Sequence, residues 1–153
     1  MLHFKIYNSN RDISAIEKDE IINFLYTHLD EFGDKKTDIT KCIDFALKIN
    51  DPSLPLMPLG GMVLTVKEEG EIVGCVVMNR TGMNGYIPDN ILVYIAVHKD
   101  YRGKGYGKEL MKKAIELTDG DIALHVEPDN PARFLYEKIG FNSKYIEMRY
   151  INK

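Results

Sequence analysis

The chain has 153 residues, 44% hydrophobic and 28% charged, enough for one folded domain with its own core. With 20 Lys and Arg against 23 Asp and Glu, the net charge of −3 argues against nucleic acid or a membrane surface as partner. No run approaches the roughly 20 apolar residues of a membrane span, and Met1-Leu2-His3-Phe4-Lys5 lacks the apolar core of a signal peptide, so the expected location is the cytoplasm.

Leu2, Phe4 and Ile6 alternate with polar residues and predict a first strand, broken by Asn8-Ser9-Asn10. Apolar residues at helical spacing predict a helix from Ile13 to Phe32, stopped by Gly33. A second helix is expected from about Asp38 to Ile49, with Ile39, Ile43 and Leu47 on one face and Asp38 as cap. Both read as covers for a sheet. Residues 50 to 61 hold Pro52, Pro55 and Pro58 among Leu54, Leu56, Met57 and Leu59, which rules out regular helix or central strand. A loop this apolar packs on something or lines a cavity.

Met62–Lys67 and Glu71–Met78 read as a hairpin turning through Glu68-Glu69-Gly70. Asn79 to Asn90 is a polar loop carrying Met83 and Tyr86. Ile91 to Val97 is apolar almost throughout, as a strand buried on both faces would be. A glycine-rich turn and a helix from Lys108 to Leu117 follow. Ile122, Leu124 and Val126 alternate in a further strand. Asn130 and Pro131 open a helix that carries Leu135, Tyr136 and Ile139 and ends at Gly140. Tyr145 to Ile151 predicts a last strand. Cys42 and Cys75 lack metal or redox spacing and sit in apolar stretches, as small buried hydrophobes do.

The turn Arg102-Gly103-Lys104-Gly105-Tyr106-Gly107 is the one motif with chemistry in it. Its alternating glycines let backbone amides approach a ligand closely, and the helix start behind them favours a phosphate or pyrophosphate. A P-loop needs Ser or Thr after the lysine, and here Glu109 follows Lys108. A dinucleotide fingerprint needs its third glycine at position 108, and here it comes early, at Gly107. What remains is R-x-x-G-x-G, from Arg102, Gly105 and Gly107.

That spacing, in "ILVYIAVHKDYRGKGYGKELMKKAIEL", resembles the hallmark of the GCN5-related N-acetyltransferases, the GNAT superfamily. "IALHVEPDNPARFLYEKIGF" is similar to the family's second element, a strand, an Asn, a helix with Ala and Tyr, then Gly-Phe. The resemblance covers Ile91 to Phe141. It implies an α/β fold over residues 1 to 153, one domain with a mostly antiparallel mixed sheet, its fourth and fifth strands splayed and flanked by helices. It implies acetyl-CoA as cosubstrate, a small primary amine as acceptor, direct transfer in a ternary complex and no metal. A homodimer stays open.

Carried over residue by residue, the resemblance gives Arg102, Gly103, Lys104, Gly105, Tyr106, Gly107 and Lys108 to the pyrophosphate, mainly through backbone amides. It gives the backbone of Ile95, Ala96 and Val97 to the pantetheine arm and the oxyanion, and Asn130 to the cofactor. Tyr136 matches the family's general acid and also touches the cofactor. No carboxylate lies on Ile91–Val97, so the base falls among Glu127, His125 and Tyr94, in that order. Neither cysteine is expected near the thioester. The alternatives are a non-catalytic acyl-CoA-binding module of the same fold and a protein N-acetyltransferase. Asp30, Glu31 and Asp34 are acidic enough to attract a cationic amine, though such a run also suits a solvated face.

Overall fold

The computed structural model describes residues 1–49 and 58–153; most of the proline-rich segment lies outside them. The element order is β1 (Leu2–Tyr7), α1 (Ala15–Leu29), α2 (Lys36–Leu47), β2 (Gly61–Glu68), β3 (Glu71–Arg80), β4 (Asn90–Val97), α3 (Tyr106–Glu116), β5 (Ile122–Leu124) and α4 (Ala132–Ile139). The strands form one sheet in the order β1-β2-β3-β4-β5. The first three pairings are antiparallel, and β4 with β5 is parallel. This is the mixed α/β architecture expected.

The helices sort by the face they cover. Ile21 and Leu25 of α1 and Ile39, Ile43 and Leu47 of α2 pack with Val63, Cys75 and Val77 on one face. Leu110, Met111 and Ala114 of α3 and Tyr136 of α4 pack with Leu64, Val76 and Leu92 on the other. Both sets are apolar stripes at helical spacing, so burial of the stripes fixes each helix to its face. A capping box starts α1: Glu17 N–H donates to Ser14 Oγ, and Ser14 N–H donates to Glu17 Oε1. Gly107 sits where a Cβ would stand 3.2 Å from Leu135, so its bareness draws α3 close to α4.

A bulge decides where β4 points its side chains. Val77 pairs with Tyr94 but Met78 pairs with Leu92, which leaves Val93 as an extra residue. Simple alternation would put Leu92 and Tyr94 on one face. Instead Leu92 joins the α3 face and Tyr94 the α1–α2 face.

Several expectations need correcting. Asp38 lies in the first turn of α2, and the cap position is Lys35. Phe4 and Ile6 remain 38% and 36% exposed, because β1 is an edge strand that α3 only partly covers. β5 ends at Leu124 and does not reach Val126. The last strand does not form. Residues 142–153 have no regular structure, and Tyr145, Ile146, Met148 and Tyr150 are more than four-fifths exposed. A strand needs a neighbouring edge, and three residues of β5 offer little of one.

Candidate active site

β4 pairs with β5 only through Asn90, Ile91 and Leu92, opposite Ile122, Ala123 and Leu124. Beyond Leu92 the two strands part. After the bulge at Val93, the backbone of Tyr94 to Val97 pairs with β3 on one side only. The unpaired side therefore offers N–H and C=O groups to an extended ligand, as any open strand edge does. Ile95, Ala96 and Val97 all lie in this open stretch.

The glycine turn stands at its lower end. A single turn of 3-10 helix, Lys99–Tyr101, leads into it, capped by His98 Nδ1, which accepts from Asp100 N–H at 3.1 Å. Gly103 and Gly105 have φ of +79° and +83°, a region that side-chain-bearing residues enter at a cost. No atom lies within 4 Å of where their Cβ atoms would be, so it is the backbone angle that requires glycine. Gly105 caps α3 without a side-chain acceptor. The first-turn amides of Tyr106, Gly107 and Lys108 thus keep their donors for an anion.

Arg102 is exposed, yet its guanidinium is engaged by the protein's own backbone. Its Nε donates to Val97 O at 3.2 Å, and a terminal guanidinium nitrogen donates to His28 O at 2.6 Å. The side chain ties the end of β4 and the end of α1 to the turn. Lys104 lies over the Tyr101 ring, and the Tyr106 hydroxyl donates to Glu68 Oε2 at 2.9 Å. Backbone amides, more than side chains, are what this turn presents.

Tyr136 is buried, edge-on to Phe141, in the same cluster as Leu92, Ile95 and Tyr106. Burial pushes its phenol up to about 12. The cap position of α4 is Pro131 rather than Asn130, but Asn130 Oδ1 still accepts from the first helical amide, Ala132 N–H, at 2.9 Å. His125 and Glu127 are exposed, past the last residue of β5. The structure pairs neither of them with Tyr94.

Tyr94 has a different partner. Its hydroxyl donates to Asp34 Oδ2 at 2.6 Å, across 60 residues of sequence. Tyr94 is buried and Asp34 is exposed, so a buried phenol reaches out to a carboxylate in solvent. Burial, and then the carboxylate, push the phenol far above its ordinary value. At neutral pH Tyr94 is a donor, and the basic member of the pair is Asp34. The sequence showed Asp34 only as one acid in a run. The bulge that turns Tyr94 toward it leaves no local mark.

Cys75 stands directly opposite Ala96 in the sheet, closer to the open stretch than expected. It is fully buried, and desolvation pushes the thiol above its usual range. Burial holds Cys42 up at about 12, opposed by the hydrogen bond its sulfur accepts from Asn79 Nδ2. Both therefore stay protonated thiols rather than nucleophiles. Among the described residues no group of three His, Cys, Asp or Glu is placed to hold a metal, and no helix is long and apolar enough to cross a membrane.

Comparison with known proteins points the same way. The acetyltransferase (GNAT) domain family matches residues 60–143, more than half of the chain. The [ribosomal protein bS18]-alanine N-acetyltransferase of Haemophilus influenzae is 35% identical over 94 residues, which is 59% of this chain and 61% of that protein. A GNAT-family acetyltransferase of Streptococcus pneumoniae superposes over 100% of this chain and 99% of its own, with a TM-score of 0.69 at 16% identity. The ribosomal-protein-S18-alanine N-acetyltransferase of Escherichia coli gives a TM-score of 0.62 over 93% of this chain and 78% of its own, also at 16% identity. At that identity the two structures share the fold alone. The chain belongs to the GNAT acetyltransferase family.

Proposed function

We propose that this GNAT acetyltransferase moves the acetyl group of acetyl-CoA directly to a primary amine, as a single domain in the cytoplasm. The observation that supports this most is the parting of β4 from β5 after Leu92, directly above the glycine turn. An extended acyl carrier ending in a diphosphate fits both features at once. Bound there, acetyl-CoA supplies an activated thioester.

The residues of the chain do the rest. The amides from Gly103 to Lys108 hold the diphosphate, and Arg102 holds the turn in shape. Amides of Ile95, Ala96 and Val97 pair the carrier arm and face the developing oxyanion. Tyr136 donates to the departing sulfur. A phenol near 12 outranks a thiol of ordinary pKa, about 8.5, so it acts chiefly as a hydrogen-bond donor that steadies the thiolate. On the other face of β4, Asp34, fixed by Tyr94, draws the acceptor's ammonium and takes its proton. Glu127 and His125 are the rival bases, both open to solvent.

The Haemophilus relative, by its name, acts on the alanine of a ribosomal protein. That likeness makes a peptide amine the first acceptor class to test, ahead of small amines. The experiment is a panel of N-terminal peptides and small amines, following free thiol release from acetyl-CoA, beside Tyr136→Phe. Release with one class, and slower turnover with acetyl-CoA binding retained in Tyr136→Phe, is expected. Binding without release for every amine would make the chain a non-catalytic acyl-CoA module. Absence of acetyl-CoA binding would end the proposal.

A further inference from the structure

Glu147 and Arg149 form an ion pair across a single intervening residue. Residues two apart face the same side in extended backbone and not in a helix, so the stretch around them already has the conformation of a strand. Ile146, Met148 and Tyr150 line its opposite side, and all three are exposed. At the far edge of the sheet β1 is bare in the same way. Among the described residues it pairs with β2 alone, and His3, Phe4, Lys5 and Ile6 are exposed. The chain thus carries a six-residue strand with a free edge and an extended apolar segment of similar length with no strand beside it. Each is what the other lacks.

Charge selects one way of pairing them. With antiparallel strands and Met148 opposite Phe4, Ile146 falls opposite Ile6 and Tyr150 opposite Leu2. Glu147 then falls opposite Lys5, which already holds Glu17 at 2.7 Å and gains a second acid. His3 with Arg149 is the pair that gains nothing. Parallel strands would instead set Arg149 against Lys5, like charge against like. Distance selects the copy. α4 follows β5, at the opposite edge of the sheet from β1, and packs beside α3. From Gly140 to Tyr145 the chain spans about 18 Å at full stretch. A strand beyond β1 lies five strand spacings from β5, about 24 Å, so the segment cannot reach its own β1. We propose that residues 145–150 of one copy add antiparallel to the outer edge of β1 of a second copy, and that the exchange is reciprocal, giving a two-fold dimer. Burying these side chains in both exchanges removes on the order of 1,500 Å² from water, the size of a standard stable interface. The proposal stands independently of the acetyl-CoA reading.

The test is sedimentation equilibrium of the full chain and of Met148→Lys, beside disulfide trapping of two double variants. Met148 is exposed in the single chain, so its variant is expected to fold. The wild type should be a dimer, and Met148→Lys should raise its dissociation constant about a hundredfold, since each of two symmetric contacts loses a buried side chain. Under mild oxidation the double variant Phe4→Cys, Met148→Cys should form a covalent dimer, because the two positions are directly opposite across the new pair. The double variant Leu2→Cys, Ile146→Cys, opposite only in the parallel arrangement, should not. A monomeric wild type would overturn the proposal and leave the segment to its own β5. A dimer that Met148→Lys leaves intact would also overturn it, as would trapping of the Leu2 and Ile146 pair in place of the Phe4 and Met148 pair.

Discussion

The two faces of β4 are built by different means. On the α3–α4 side the candidate donor site is mostly backbone: an unpaired strand edge, two glycines with positive φ, and the first amides of a helix. On the α1–α2 side the candidate acceptor site is made of side chains brought together from far apart, Tyr94 with Asp34, His28 with Lys99, and Arg102 with the end of α1. A backbone site tolerates most substitutions and fails when the main chain cannot take its angle. A side-chain site fails one functional group at a time. Variants on each face should separate in that way.

The largest effect is expected at the side-chain pair. Asp34→Asn keeps the size of the residue and removes its basicity. It should lower kcat/KM for the amine about a hundredfold, the usual scale for a lost general base, with acetyl-CoA affinity unchanged. Tyr94→Phe removes the hydrogen bond that holds the carboxylate and should show a smaller loss, with an altered pH profile. If Asp34→Asn turns over normally while Glu127→Gln does not, the base lies on the β5 side and the proposed division of labour is wrong.

Arg102 joins the two faces, so its loss should be felt on both. Arg102→Ala leaves the carbonyls of Val97 and His28 without their charged donor and, because both bonds are solvent-exposed, is expected to cost about 1 kcal/mol in chemical denaturation. Arg102→Lys should restore little of it, because an ammonium cannot reproduce the two-pronged geometry. Full rescue by lysine would mean that charge alone mattered. Gly105→Ala tests the backbone face. At φ +83°, with open space around it, alanine meets only the conformational cost, about 1 kcal/mol. The cost should appear as weaker acetyl-CoA binding, about five- to tenfold, with the amine site untouched.

This contrast also explains what the sequence could show. Gly103 and Gly105 were legible because positive φ demands a particular residue at a particular place. Gly140, at φ +125°, was legible for the same reason, and Asn130 for the side-chain oxygen it offers at the start of α4. The periodicity of the apolar residues gave the individual helices and strands, and the resemblance to the GNAT family gave the α/β class. The Tyr94–Asp34 pair left no such trace, since neither residue is unusual in its own neighbourhood and the pairing depends on the bulge at Val93. Tyr145 to Ile151 has the right period for a strand, but period reports only a tendency to pair. Whether an edge lies within reach is a property of β5, which ends too soon.

The smallest effect comes from the histidine at the junction of the faces. His28 Nδ1 accepts from Lys99 N–H at 3.2 Å, and its ring lies against His98, 4.2 Å between centroids. Burial, then the charges of His98, Arg102 and Lys99, hold its pKa below the usual 6.5; Asp100 opposes them. The folded state thus binds fewer protons at His28 than the unfolded one. The stability it contributes is whole above about pH 6.5 and drains away as the pH falls through the folded value. His28→Asn keeps an acceptor for Lys99 N–H and cannot be protonated. Between pH 7 and 5 the wild type should lose about 0.5 kcal/mol more than the variant, a scale set by partly screened charges. Since Arg102 holds His28 O, the same pH range should weaken acetyl-CoA binding in the wild type only. Parallel pH curves for the two proteins would show that the junction is a passive contact, with the two faces acting independently.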